Sequence, residues 1–232
     1  MLLLPEITDS TANHALLRES LAPKYRVIAA DLPGSGRSEP QPRTYTATYY
    51  EDDAGSLVAL LQNIADEPVH LVGYSDGGEV ALLMAAQTPE VARSVFTWGA
   101  AGFVSDPSGH LREGFQNVVD HPTPPWKQYS EYLVATYGEA NARAMTQSFV
   151  KAISAIIEAG GDISRSKVGA ITCPVLLIAG EHDVFVSKAL IDELATRLHA
   201  VETIEAEGVG HDVHNARPQW FVHTVLDWLT RH

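Results

Sequence analysis

Only one cysteine, Cys173, stands in 232 residues, so an internal disulfide is excluded. It sits just ahead of an apolar run and reads as a small buried hydrophobe, not a reactive thiol. Basic residues are also scarce: 16 Lys and Arg face 29 Asp and Glu, a formal net charge of −13. A surface this acidic repels phosphate backbones and anionic lipid, so neither nucleic acid nor membrane is an expected partner. No apolar run approaches the ~18 residues that suggest a membrane span. The opening MLLLPE has no basic segment before its few apolar residues, so it does not read as a signal peptide. Internal repeats and low-complexity tracts are missing too. These absences lead to the expectation of a soluble cytoplasmic protein.

What is present is apolar and periodic. Hydrophobic residues make up 45% of the chain, enough for one sizeable core in a single α/β domain. Strand-like runs occur at Leu2–Leu4, Arg26–Ala30, Val69–Gly73, Val95–Trp98, Val175–Ala179 and Val201–Ile204. Several are apolar without alternation, as parallel strands covered on both faces are. Amphipathic helices lie between them. Leu57, Val58, Leu60, Leu61 and Ile64 form one stripe. Leu190, Ile191, Leu194 and Leu198 form another, with Ser187 as N-cap. Phe221, Val222, Val225, Leu226 and Leu229 form a third, with Pro218 near its start. This order predicts an α/β fold with a mostly parallel sheet and helices on both faces. The alternation stops at 104–166, which carries DPSGHLREGFQNVVDH, PTPPW and helical runs. That stretch is expected to be a helical lid inserted between two parts of one core, 1–103 and 167–232, over the strand C-termini where ligands bind.

The sequence LVGYSDGG at 71–78 places Ser75 between Gly73 and Gly77, where a strand gives way to a helix. A turn this tight strains the backbone, and glycines remove the side chains that would collide. Ser75 then stands above the sheet at a helix N-terminus, the position of a nucleophile elbow. A serine nucleophile needs a base, and the base an orienting acid. In this architecture both follow later strands, acid first. VLLIAGEHD offers Asp183 and EGVGHDVH offers His211, with Glu181, His182, Asp212 and His214 as neighbours. His214 reads as a contact at a helix start or under the lid. The pair His211-x-x-His214 lacks the carboxylate-rich set that would complete a metal site, and the chemistry calls for no cofactor.

On DLPGSGRS at 31–38, GYSDGG at 73–78, WGAAGFV at 98–104, GEHD at 180–183 and EGVGHDVH at 207–214, the chain resembles the α/β-hydrolase superfamily. Within it the resemblance is to the valacyclovirase (biphenyl hydrolase-like) group of α-amino-acid ester hydrolases. The resemblance implies Ser75 as nucleophile, Asp183 as acid and His211 as base, and it implies that Asp76 holds the ammonium group of the substrate. Electrostatics independently favours that role. The Asp76 N–H is expected to donate to the oxyanion. Two like charges ~4 Å apart at an effective dielectric of ~20 repel by about 4 kcal/mol. A carboxylate there slows hydrolysis of a neutral ester, whereas an ammonium substrate removes the penalty. The alternative is that Asp76 only complements the helix N-terminus.

Two features depart from the family pattern. The loop after the first strand normally carries His-Gly or Pro-Gly and supplies a second oxyanion donor. Here it reads Pro5-Glu6-Ile7-Thr8-Asp9-Ser10, so the N–H of Ile7 or Thr8 is the candidate donor, in a loop without glycine to take positive φ. Glu6 and Asp9 either add negative charge to the pocket or form an exposed acidic loop. The chain also starts at the strand that family members place third. That leaves Arg26–Ala30 as a sheet edge, where a homodimer contact or a misassigned start is expected. Asp31 reads as a structural turn residue before Pro-Gly. Trp98 and Phe103 are candidates to bind substrate; they, Trp126, Tyr129 and Tyr132 line a pocket or form lid core. Three functions compete. One is a serine hydrolase for small esters bearing an α-amino group. Another is an esterase, lactonase or C–C hydrolase for neutral substrates. The third is a degenerate hydrolase fold that only binds a small ligand.

Overall fold

The computed structural model describes all 232 residues. Six strands form one sheet: β1 Leu2–Leu4, β2 Ile28–Ala29, β3 Val69–Tyr74, β4 Ala92–Trp98, β5 Val175–Gly180 and β6 Val201–Ala206. The order across the sheet is β2-β1-β3-β4-β5-β6, and every pair is parallel. Nine helices connect or cover the strands: α1 Ala15–Leu21, α2 Tyr49–Ile64, α3 Asp76–Gln87, α4 His110–Asn117, α5 Lys127–Tyr137, α6 Glu139–Glu158, α7 Lys188–Ala195, α8 Val213–Ala216 and α9 Pro218–Arg231.

Strand periodicity sorts the core into two layers. Leu2, Leu4, Leu71, Val95, Val175 and Leu177 face the layer shared with α2, α3, α7 and the helices at 110–158. Leu3, Val72, Tyr74, Phe96, Trp98, Leu176 and Ile178 face the other layer, under α1 and α9. Both faces are covered, which is why the central strands are apolar throughout. Helix α3 is buried along Asp76–Ala86 and forms the centre of the first layer. The edge strand β2 is only two residues long, shorter than its apolar run, and half-buried. Ser187 occupies the N-cap of α7, but its hydroxyl makes no capping bond.

Helices α4, α5 and α6 all lie between β4 and β5. The two ends of this insertion meet at its base. The Gly102 carbonyl accepts from the N–H groups of Ile163, Ser164 and Arg165, at 3.0, 3.1 and 3.0 Å. Val104 donates to Gly161 at 2.8 Å, and Phe103 and Asp162 form an antiparallel bridge.

Candidate active site

The turn between β3 and α3 is as tight as its glycines require. Ser75 has φ 50° and ψ −115°, a conformation that side-chain-bearing residues rarely adopt. A Cβ on Gly73 would collide with the Gly77 carbonyl, and one on Gly77 with the carbonyls of Leu4 and Pro5. Both glycines are therefore dictated by close backbone approach. Trp98 at the end of β4 accepts the Ser75 N–H at 2.9 Å, tying the turn to the next strand.

Three predicted residues converge here. His211 Nε2 lies 3.0 Å from Ser75 Oγ, and His211 Nδ1 lies 2.7 Å from Asp183 Oδ2. With Nδ1 protonated toward the carboxylate, Nε2 is free to accept the serine proton. Asp183 is held in turn by the N–H groups of Phe185 and Val186, which donate to Oδ1 at 2.8 and 2.9 Å. The neighbours of these residues do other work. Glu181 accepts from the Gly208 N–H, and His214 Nδ1 sits 3.1 Å from Trp98 Nε1 and 3.0 Å from Asp212. A hydroxyl, an imidazole and a carboxylate in this relay can generate a serine nucleophile at neutral pH.

Asp76 is buried directly after Ser75. Tyr49 donates its hydroxyl to Oδ1 at 2.6 Å, but no cation pairs with the carboxylate. The nearby guanidinium of Arg43 is committed to Asp53, with both carboxylate oxygens at 2.7 Å. Burial pushes the Asp76 carboxyl above its ordinary range, against the pull of the Tyr49 and Tyr50 hydroxyls and Arg43. Glu6, half-buried, is raised further, by burial and then by the charges of Asp9, Asp76 and Asp212. Its carboxylate has no protein hydrogen-bond partner. As the first residue of α3, Asp76 has no helical acceptor for its N–H, and nothing accepts from the Ile7 N–H.

The loop at 5–10 corrects two expectations. It does take a positive φ without glycine: Thr8 has φ 57°. Nor is it an exposed acidic loop. Thr8 and Asp9 are buried, and Asp9 bonds Asn13 Nδ2 at 2.5 Å and His14 Nε2 at 3.0 Å. Asp31 accepts from the Thr11 N–H at 2.7 Å, the Thr11 hydroxyl at 2.8 Å and the Arg37 N–H at 2.9 Å. Burial alone would raise its carboxyl, but these bonds hold it below the ordinary range. Asp31 thus fastens two loops together.

The aromatic candidates separate. Trp98 does not line the pocket: it is fully buried on the opposite layer, stacked on Tyr74 at 5.1 Å. The alternation of β4 puts it with Phe96, facing α9. Phe103 lies at the base of the insertion with the Arg165 guanidinium 4.3 Å from its ring centre. Phe103 makes no hydrogen bond or ring contact with Ser75, and Trp98 meets it only through its main-chain carbonyl. Trp126 packs on Phe115, and Tyr129 and Tyr132 reach Thr8.

Glu79, one turn after Ser75, was not among the candidates. It is buried and accepts from the N–H groups of Ala101 and Gly102 at 2.9 and 2.7 Å and from Ser164 Oγ at 2.7 Å. Burial lifts its carboxyl to about 7. The sequence did carry a signal, a lone acid inside the apolar run GGEVALLMAA. The loop Glu79 grips also backs the imidazole, since a Cβ on Gly99 would sit 2.6 Å from His211 Cε1. A surface cavity of about 130 Å³ is lined by Leu61, Pro68 and Val69 at the N-terminal edge of the sheet, away from Ser75.

A model described as "Alpha/beta hydrolase family" matches residues 10–224. The chain is similar to Serine hydrolase BPHL of Mus musculus, 30% identical over 238 residues, covering 99% of this chain and 78% of the relative. Its Homo sapiens counterpart is 30% identical over 182 residues, 75% of this chain and 61% of the relative. Among solved structures, NosK from Streptomyces actuosus matches with a TM-score of 0.77 at 25% identity, covering 99% of this chain and 96% of that one. No helix is long and apolar enough to cross a membrane.

Proposed function

The chain belongs to the alpha/beta hydrolase family and is a hydrolase, and from that premise we propose that it cleaves small carboxylic esters bearing an α-ammonium group, through an acyl-enzyme. The observation that carries the substrate class is Asp76: a buried carboxylate without a cationic partner, one residue from Ser75. Burying an unpaired carboxylate is costly, and a bound ammonium offsets that cost. Glu6 belongs to the same acidic cluster, its carboxyl raised by burial and by Asp9, Asp76 and Asp212.

Ser75 Oγ attacks the ester carbonyl while its proton passes to His211 Nε2, and the carbonyl π pair moves onto oxygen. Asp183 orients the imidazole and stabilises its charge. The N–H groups of Asp76 and Ile7 receive the oxyanion. Collapse breaks the bond to the alcohol, which leaves with the His211 proton. Water then repeats the sequence on the acyl-enzyme and releases the acid.

The test is kcat/KM for a phenylalanine or valine ester beside its N-acetylated twin, at a pH where the free amine is protonated. A strong preference for the free amine is expected. Equal rates would overturn the ammonium role. One observation favours a second reading, an esterase for neutral substrates: Asp76 is buried without a cation, and that burial raises its carboxyl and favours the neutral form despite the Tyr49 bond. Equal rates would select it.

A further inference from the structure

Thr8 is one of two residues other than glycine with positive φ; Ser75 is the other. A β-branched side chain is poorly suited to this conformation, which persists only where the surroundings enforce it. The enforcement comes from one helix of the insertion. Tyr137 and Tyr132 donate their hydroxyls to the Thr8 carbonyl at 2.5 and 3.2 Å, and Tyr129 bonds the Thr8 hydroxyl at 2.6 Å. All three tyrosines belong to α5. Tyr137 also accepts from the Gly36 N–H at 2.7 Å, so its own position is fixed from the core side.

The rest of the loop is anchored differently. Asp9 is held by Asn13 and His14, and Thr11 by Asp31, all within the first 31 residues. Only Thr8, directly after the free N–H of Ile7, depends on the insertion. We propose that Tyr129, Tyr132 and Tyr137 are positioning residues for the oxyanion donor. By holding Thr8 in its left-handed conformation they aim the Ile7 N–H, and seating of α5 over the core is what completes the oxyanion site. Where other members of the family have glycine in this loop, this chain replaces intrinsic backbone freedom with a phenolic clamp. The inference rests on the serine-esterase reading above.

The experiment is a double-mutant cycle. Tyr129, Tyr132 and Tyr137 are changed to Phe, alone and together, in the parent and in a Thr8→Gly background. Loss of one oxyanion donor costs about a hundred- to a thousandfold in rate. The triple variant is therefore expected to lose roughly a hundredfold in kcat with KM little changed. In the Thr8→Gly background, where positive φ needs no enforcement, the same changes are expected to cost only about threefold. Equal losses in both backgrounds, or a triple variant with parental kcat, would overturn the proposal. Thermal midpoints identify any variant that fails to fold. If the triple variant does not fold, Tyr137→Phe with and without Thr8→Gly gives the same comparison. Ser75→Ala is assayed alongside: if it keeps activity, the serine-esterase reading itself falls, whereas an inactive Ser75→Ala with equal tyrosine losses sinks only the clamp.

Discussion

Two strained turns lie side by side at the C-terminal ends of β1 and β3, and they are supported in opposite ways. After β3, Ser75 is held by what its neighbours lack: Gly73 and Gly77 clear space for backbone to meet backbone. After β1, Thr8 is held by hydroxyls from residues 121, 124 and 129 positions later in the chain. Strain supported locally is written in adjacent residues. Strain supported by tertiary contacts leaves no local mark, and only the assembled molecule shows it.

The largest effect should come from the locally built turn. Ser75→Ala is expected to lower kcat/KM by on the order of a millionfold, with a thermal midpoint no lower than the parent's. A residual rate above about 1% would remove Ser75 from the nucleophile role. Gly77→Ala attacks the same turn through its support. Its Cβ meets carbonyls of β1 and the residue after it, which have no room to give, so urea unfolding should show a loss of about 3 kcal/mol. An unchanged midpoint would mean that the turn relaxes and that the glycine is not essential.

Glu79 sharpens the contrast from the other side, because its partners are all distant from its own helix. Its carboxyl is raised from 4.5 to about 7 in the folded chain. The fold therefore prefers the protonated form, and stability falls as pH rises from about 4.5 through about 7. Glu79→Gln removes that dependence. Its unfolding free energy relative to the parent should rise by about 2–3 kcal/mol between pH 5 and pH 8. Parallel curves for parent and variant would show that burial of Glu79 is not the cause. The smallest effect is the most selective. Asp76→Asn should cost an ammonium-bearing ester about tenfold to a hundredfold in kcat/KM and its N-acetylated twin less than about threefold. Equal losses would place Asp76 in the helix and not in the substrate site.

The same contrast explains what could be read in advance. Each strand predicted from an apolar run is present, because parallel strands buried on both faces advertise themselves. Ser75, Asp183 and His211 were legible as a set because each sits just past a strand end in a fixed chain order. Trp98 was misplaced because a strand apolar on both faces does not say which face the insertion covers. Thr8 was misread because the glycine rule describes what a backbone does unaided. Glu79 was visible as an anomaly in α3, but its donors sit in two loops more than twenty residues away. The exchange between Arg43 and Asp53, which leaves Asp76 without a cation, likewise depends on three-dimensional neighbours.

Since Gly102 gathers the N–H groups of residues 163–165, the chain path from β4 to β5 is already closed at the foot of the three intervening helices. Those helices form a cassette with both joints on one residue. A short turn spliced between 102 and 163 would keep the sheet order, and a foreign cassette could be fitted at the same joints. The relay at Ser75 would travel with the scaffold. The phenols that steady Thr8 would travel with the cassette, so a graft that omits them would keep the Ser75–His211–Asp183 relay but leave Thr8 without the hydroxyls that hold it.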